Sequence, residues 1–147
     1  MASCVAGPRQ KSGGGGRDLN QKVGGITTLM AIDALDADPG TRHIILISKP
    51  PHPEVARTVM SRVARSTKPF TVCFLGGDSV DLPGNARFAS TLKEAAEAAL
   101  GGRPIGADFH PPASSVRRGI VAGLYSGGTL CAEAQIVLLR RGRRVVS

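Results

Sequence analysis

Ser126-Gly127-Gly128-Thr129 is the stretch of this sequence best equipped for chemistry. Its two glycines let backbone N–H groups come close to an anion, and its two hydroxyls can donate hydrogen bonds. A helix beginning there would add partial positive charge. A phosphate or a carboxylate suits such a turn. The same residues also suit plain helix capping, with Ser126 or Thr129 as the cap. The turn is no Walker A loop, because no Gly-Lys-Ser/Thr follows at the required spacing. Three further loops carry usable groups. In Ser48-Lys49-Pro50-Pro51, Lys49 could hold a phosphate or carboxylate, or stand as a solvated residue of a rigid turn. Gly76 opens Gly76-Gly77-Asp78. Gly15-Gly16-Arg17-Asp18 could read a polar ligand, or Asp18 could cap a turn beside a solvated Arg17.

No nucleophile–base pair is legible. His43, His52 and His110 are scattered, and none has a carboxylate or thiol at metal-ligand spacing. Cys73 falls inside an apolar run and reads as a small core residue. Cys131 falls one turn into a helix, where packing competes with a lowered thiol pKa.

The elements that must position these loops follow from periodicity. Val23, Ile26, Leu29, Met30 and Leu35 recur at helical spacing until Asp38-Pro39-Gly40, which predicts a helix over 24–37. Ile44-Ile45-Leu46-Ile47 is a continuous apolar run, the pattern of a strand buried on both faces. Pro53 suits a first helical turn, and Val55, Val59, Met60 and Val63 form one stripe. A second buried strand is expected over 70–75, and a loop over 79–89. Thr91-x-x-Glu94 has the form of a capping box. It opens a helix bearing Leu92, Ala95, Ala96, Ala99 and Leu100, which Gly101-Gly102 closes.

Helices between strands predict parallel pairing, and helices on both faces predict a doubly wound α/β sheet. A third strand is expected from 1–16, from 116–125 or from further sequence. Residues 120–125 could be a strand leading into a helix with Leu130, Ala134, Val137 and Leu138 on one face.

Bulk composition narrows the function classes. The chain has 147 residues and a formal charge of +8. Seven of its 19 Lys/Arg lie in residues 1–17 and 140–147, which hold no acid, so the remainder is close to neutral. That distribution, without interleaved aromatics, argues against nucleic-acid binding. Three distant cysteines form neither a disulfide framework nor a zinc pattern, which suits a reducing, cytoplasmic setting. No apolar run approaches the ~20 residues that span a bilayer.

Two stretches resemble the FdrA family. One runs through Gly15-Gly16-Arg17-Asp18-Leu19, Val23-Gly24-Gly25, Ala31-Ile32-Asp33-Ala34-Leu35 and Ile47-Ser48-Lys49-Pro50-Pro51. The other is Arg118-Gly119, followed by Gly123-Leu124-Tyr125-Ser126-Gly127-Gly128-Thr129-Leu130-Cys131-Ala132-Glu133-Ala134. FdrA proteins are similar to the α subunit of succinyl-CoA synthetase and carry flavodoxin-like CoA-ligase domains. The resemblance implies acyl transfer, or the carbamoyl transfer linked to some members, through a phosphorylated or CoA-bound intermediate. For the full-length family it implies CoA and ATP or GTP, a small anionic metabolite and partner subunits.

In these terms Gly15–Leu19 corresponds to a glycine loop after a strand. Ser126–Leu130 resembles the synthetase turn whose helix N-terminus faces a phosphorylated histidine. No Gly-His-Ala-Gly setting for such a histidine occurs in the sequence, nor does a CoA-binding Rossmann domain. The expected organisation is a disordered segment 1–13, a CoA-ligase-like flavodoxin-type domain 14–102 and a linker 103–115. The start of a second such domain follows at 116–139, then a basic tail 140–147. The chain is thus expected to be a fragment of a longer subunit, inactive alone; the alternative is a non-catalytic subunit or interaction domain.

Overall fold

The computed structural model describes residues 17–77, 81–106, 119–120 and 122–146. The segment 1–13, most of the linker and residues Gly15, Gly16 and Asp78 therefore lie outside the described residues. Four helices and three strands follow in the order α1 Ile26–Ala37, β1 Ile44–Ser48, α2 Pro53–Ala64, β2 Phe70–Phe74, β3 Ala86–Phe88, α3 Leu92–Ala99 and α4 Gly128–Arg140. The strands form one parallel α/β sheet in the order β1-β2-β3. Ile44 lies opposite Phe70 and Ser48 opposite Phe74. Phe70 in turn lies opposite Ala86.

β2 is the centre of the molecule. All five of its residues are buried, because both faces are covered. Phe70, Val72 and Phe74 point into a core with Val55, Val59, Met60 and Val63 of α2 and Ile32 of α1. Cys73 and Leu75 point the other way, toward Ala89 and Ala95 at α3. The α2 stripe is therefore the one read from the sequence. Each buried phenylalanine contributes roughly 1.5–3 kcal/mol relative to an exposed one.

Other expectations need correction. The third strand is β3, inside the stretch expected to be loop, and it is too short for a periodic signal. Residues 120 and 122–125 join no strand ladder. β1 is buried on one face only: Ile45 and Ile47 are 42% and 46% exposed, because β1 ends the sheet and α3 covers the other face mainly at β2. In α1 the core side is Leu29, Ile32 and Leu35, while Ile26 and Met30, with Val23 just before the helix, face solvent. Leu130 and Val137 of α4 are likewise exposed; the α4 residue that meets the core is Ile136.

α1 begins at Ile26 rather than at residue 24. Gly24 and Gly25 take φ of +72° and +77°, a left-handed conformation incompatible with a right-handed helix. α1 is bound to α2 by charge. Arg62 donates to Asp33 at 2.5 Å and to Asp36 at 2.8 Å. Lys68 Nζ donates to the carbonyls of Leu35 and Asp38, both at 2.7 Å, where the end of α1 favours a cation. Hydrogen bonds from Ser66 and Arg62 hold the Asp36 carboxyl below its ordinary pKa.

α3 opens much as its sequence predicts: Thr91 Oγ1 accepts from Glu94 N at 3.1 Å. The Glu94 carboxylate reaches back to Ser90 N at 2.7 Å, one residue further than in a regular capping box. No helix among the described residues is long and apolar enough to cross a membrane.

Candidate functional site

The parallel strands place the loops after β1 and β2 at one edge, the carboxyl edge of the sheet. Leu75 N donates to the Ser48 carbonyl at 2.9 Å, which fixes the two loops side by side. Gly77 lies against the Pro50 ring, within 3.4 Å of where a Cβ would stand. Gly76 turns the chain with φ +75°, and a Cβ there would meet Ile136 of α4 at 3.3 Å. α4 thus lies across the end of β2.

A further contact holds α4 on much the same face. Glu133 accepts from Leu92 N at 2.7 Å and so satisfies an open amide at the start of α3. The sequence offered no sign of this role, because the partners lie 41 residues apart and no local pattern joins them.

These contacts bring the N-terminus of α4 to Lys49, whose Nζ is 3.9 Å from the Cβ position of Gly128. The helix N-cap is Gly127, and no side chain caps it. Neither Ser126 nor Thr129 therefore acts as the cap, and the first amides of α4 are left for another acceptor. Among the described residues no carboxylate pairs with Lys49. An ammonium beside the positive end of a thirteen-residue helix is electrostatically unfavourable on its own. An anion between them reverses that sign, since both then attract it.

Asp18 has a different task. Its carboxylate accepts from the amides of Thr27 and Thr28, at 3.0 and 2.8 Å, and from the Thr28 hydroxyl at 2.5 Å. It caps α1 from eight residues before the helix starts. Asp18 is only 3% exposed. Burial pushes its pKa up, and the bonds from Thr28 and Thr27 more than reverse this, leaving it below its ordinary value. Its oxygens are engaged in holding the helix, and Arg17 beside it is exposed.

The structure thus brings Lys49, which follows Ser48 at the end of β1, beside Gly128 at the start of α4; Gly76 meets α4 further along, at Ile136, and Asp18 belongs to α1. An open cleft of about 740 Å³ adjoins this corner, lined by Pro50, Arg57, Met60, Phe74, Gly77 and Leu82 among others. Among the described residues no group of three His, Cys, Asp or Glu side chains could hold a metal. Cys73, at the base of the corner, is fully buried. Burial, with Glu133 and Glu94 nearby, pushes its thiol up to about 11, which makes it a poor nucleophile.

No protein-family model matches the chain. The chain is similar to the uncharacterized protein YahF of Escherichia coli (strain K12), at 41% identity over 156 residues that take in 96% of the chain. It spans about 30% of the length of that relative.

Proposed function

We propose that this chain is the ligand-loop portion of an FdrA-type, succinyl-CoA-synthetase-like subunit with flavodoxin-like architecture, working in the cytoplasm. The corner formed by Lys49 and the start of α4 holds the phosphate or carboxylate of a small anionic metabolite. The observation that carries this reading is the approach of Lys49 to the uncapped N-terminus of α4. Ser126 and Thr129 flank that start and supply hydroxyl donors. Ser48 leads into Lys49 at the end of β1, and Gly76 packs against α4 further along, at Ile136.

Binding and orientation are the tasks these residues perform. A backbone amide cluster and an ammonium stabilise negative charge on a transferring group, and that is the protein's main contribution in phosphoryl and acyl transfer. No nucleophile–base pair stands among the described residues of the corner, so the bond-making groups come from another segment or subunit. CoA and ATP or GTP belong to the complete assembly.

A thermal unfolding series tests the reading, with millimolar phosphate, carbamoyl phosphate, CoA or ATP added singly. A ligand present at about 100 times its dissociation constant adds about 2.7 kcal/mol of stability. The midpoint should rise by several degrees with at least one phosphate compound, and Lys49→Ala should remove most of the rise. A midpoint that none of the four moves, or a rise that Lys49→Ala leaves intact, sinks the assignment.

A second reading is a non-catalytic interaction subunit. It is favoured by the apolar side chains left in solvent, including Ile45 and Ile47 of β1 and Leu130, Val137 and Leu139 of α4. Sedimentation of the chain alone and with candidate partner subunits separates the two readings. A stable complex without any anion effect supports the second.

A further inference from the structure

The free edge of β1 is the least finished surface of the sheet. β1 stands at the end of the strand order, with β2 on one side only. Ile44 N donates toward β2, to the Pro69 carbonyl at 3.0 Å, and the Ser48 carbonyl accepts from Leu75. In a parallel strand the polar groups of alternate residues point to opposite sides. Those of Ile45 and Ile47 therefore lie along the open edge, and the side chains of both are exposed.

A candidate occupant stands nearby in the same chain. Residues 122–125 belong to no ladder and are exposed, with Leu124 fully open to solvent. They lead directly into α4, whose start at Gly128 is held beside Lys49, just past the end of β1. Two residues separate Tyr125 from Gly128, a span of at most about 11 Å over three steps of the chain. The carboxyl end of the segment is thus tethered at the carboxyl end of β1, in the direction that parallel pairing needs.

The handedness of crossovers agrees. α1 and α2 cover one face as the chain steps from β1 to β2. A right-handed return past β1 must then cross the opposite face, and α3 and Ile136 of α4 occupy that face.

We infer that residues 122–125 dock on the free edge of β1 as a fourth parallel strand, giving the order 122–125, β1, β2, β3. Docking covers Ile45 and Ile47, removes an exposed edge that invites aggregation, and fixes the turn before α4 against Lys49. The inference stands whether or not an anion binds there.

Amide hydrogen exchange on the intact chain, followed by NMR, tests it. The amides of Ile45 and Ile47 are expected to exchange on the order of tenfold or more slower than in an unstructured peptide. Ala122→Pro and Gly123→Pro between them remove either parity of ladder donor. At least one should return Ile45 and Ile47 to fast exchange while Val72 in β2 stays protected. Should both variants unfold, nuclear Overhauser contacts between Leu124 and β1 in the unaltered chain decide the matter. Ile45 and Ile47 exchanging at the unstructured rate beside a protected Val72 overturns the inference. So does protection that neither proline disturbs in a folded variant, or the absence of contacts from Leu124 to β1. Contacts seen between labelled and unlabelled chains in a mixed sample assign the edge to a second copy and overturn it as well.

Discussion

Asp18 illustrates how one side chain can set the start of a helix that lies well beyond it in sequence. Its three hydrogen bonds replace the local cap that α1 lacks, since the N-cap Gly25 offers no side chain. Asp18→Ala should therefore cost about 1–2 kcal/mol, the range for losing a helix cap. Urea unfolding reads this as a lower midpoint with an unchanged slope.

His43 is the other residue with a defined signature. Its Nε2 lies 2.8 Å from the hydroxyl of Thr71, in the fully buried β2. Burial first, and then Arg87, lower its pKa below the ordinary 6.5. The unfolded chain therefore binds more protons in the interval just below 6.5. Stability should fall as pH drops through 6.5 and level off below the folded value. Asp18 and Asp36 act in a separate window: their contribution is complete above 3.8 and fades as pH falls below it. Unfolding midpoints followed from about pH 7 down to about pH 5 should decline in the unaltered chain, and His43→Gln should flatten that decline. Parallel curves for the two proteins count against His43 as the source.

Among the elements, α1 and α2 meet at Gly25. Its φ of +77° disfavours any Cβ, and one placed there would stand 3.0 Å from Val55 and 3.3 Å from Leu19. Gly25→Ala should cost about 1–2 kcal/mol from backbone strain alone. Gly24→Ala has a similar φ of +72° and nothing within 4 Å, so it isolates the strain. The difference between the two unfolding free energies measures the contact; equal losses would show that the contact contributes nothing.

Legibility in the sequence follows the same division. α2 and β2 were readable because each buries a regular pattern against neighbours close in the chain. β3 was not, because three residues carry no period and its place depends on pairing with β2. The exposure of Ile45 and Ile47 was also hidden, since an apolar run does not say how many layers will cover it. At the site, Lys49 and Gly76 marked loops that do follow β1 and β2, whereas Gly127-Gly128 follows no described strand and Gly15-Gly16 lie outside the described residues. The cap formed by Asp18 was legible only as a local turn. The role of Glu133 depends on a contact that no local spacing announces.

At the scale of the whole molecule, everything is arranged around β2, with helices on both faces and a strand on each side. α4 is attached differently from the rest. None of its residues is buried, and it reaches the body through Ile136, Glu133 and Gly128. Such an element belongs at the low-stability end of the molecule, where ligands and partners exert most leverage.

The two described cysteines then form a pair of built-in reporters. Cys73 lies in β2 with no exposed surface, and Cys131 lies in α4, half-buried with its sulfur 3.3 Å from Gln135. A thiol reagent should modify Cys131 whenever α4 lifts, yet reach Cys73 only when the sheet itself opens. Alkylation followed by peptide mapping would give two rates from one sample. Their ratio separates a loosening at the ligand corner from a loss of the fold, with no residue replaced.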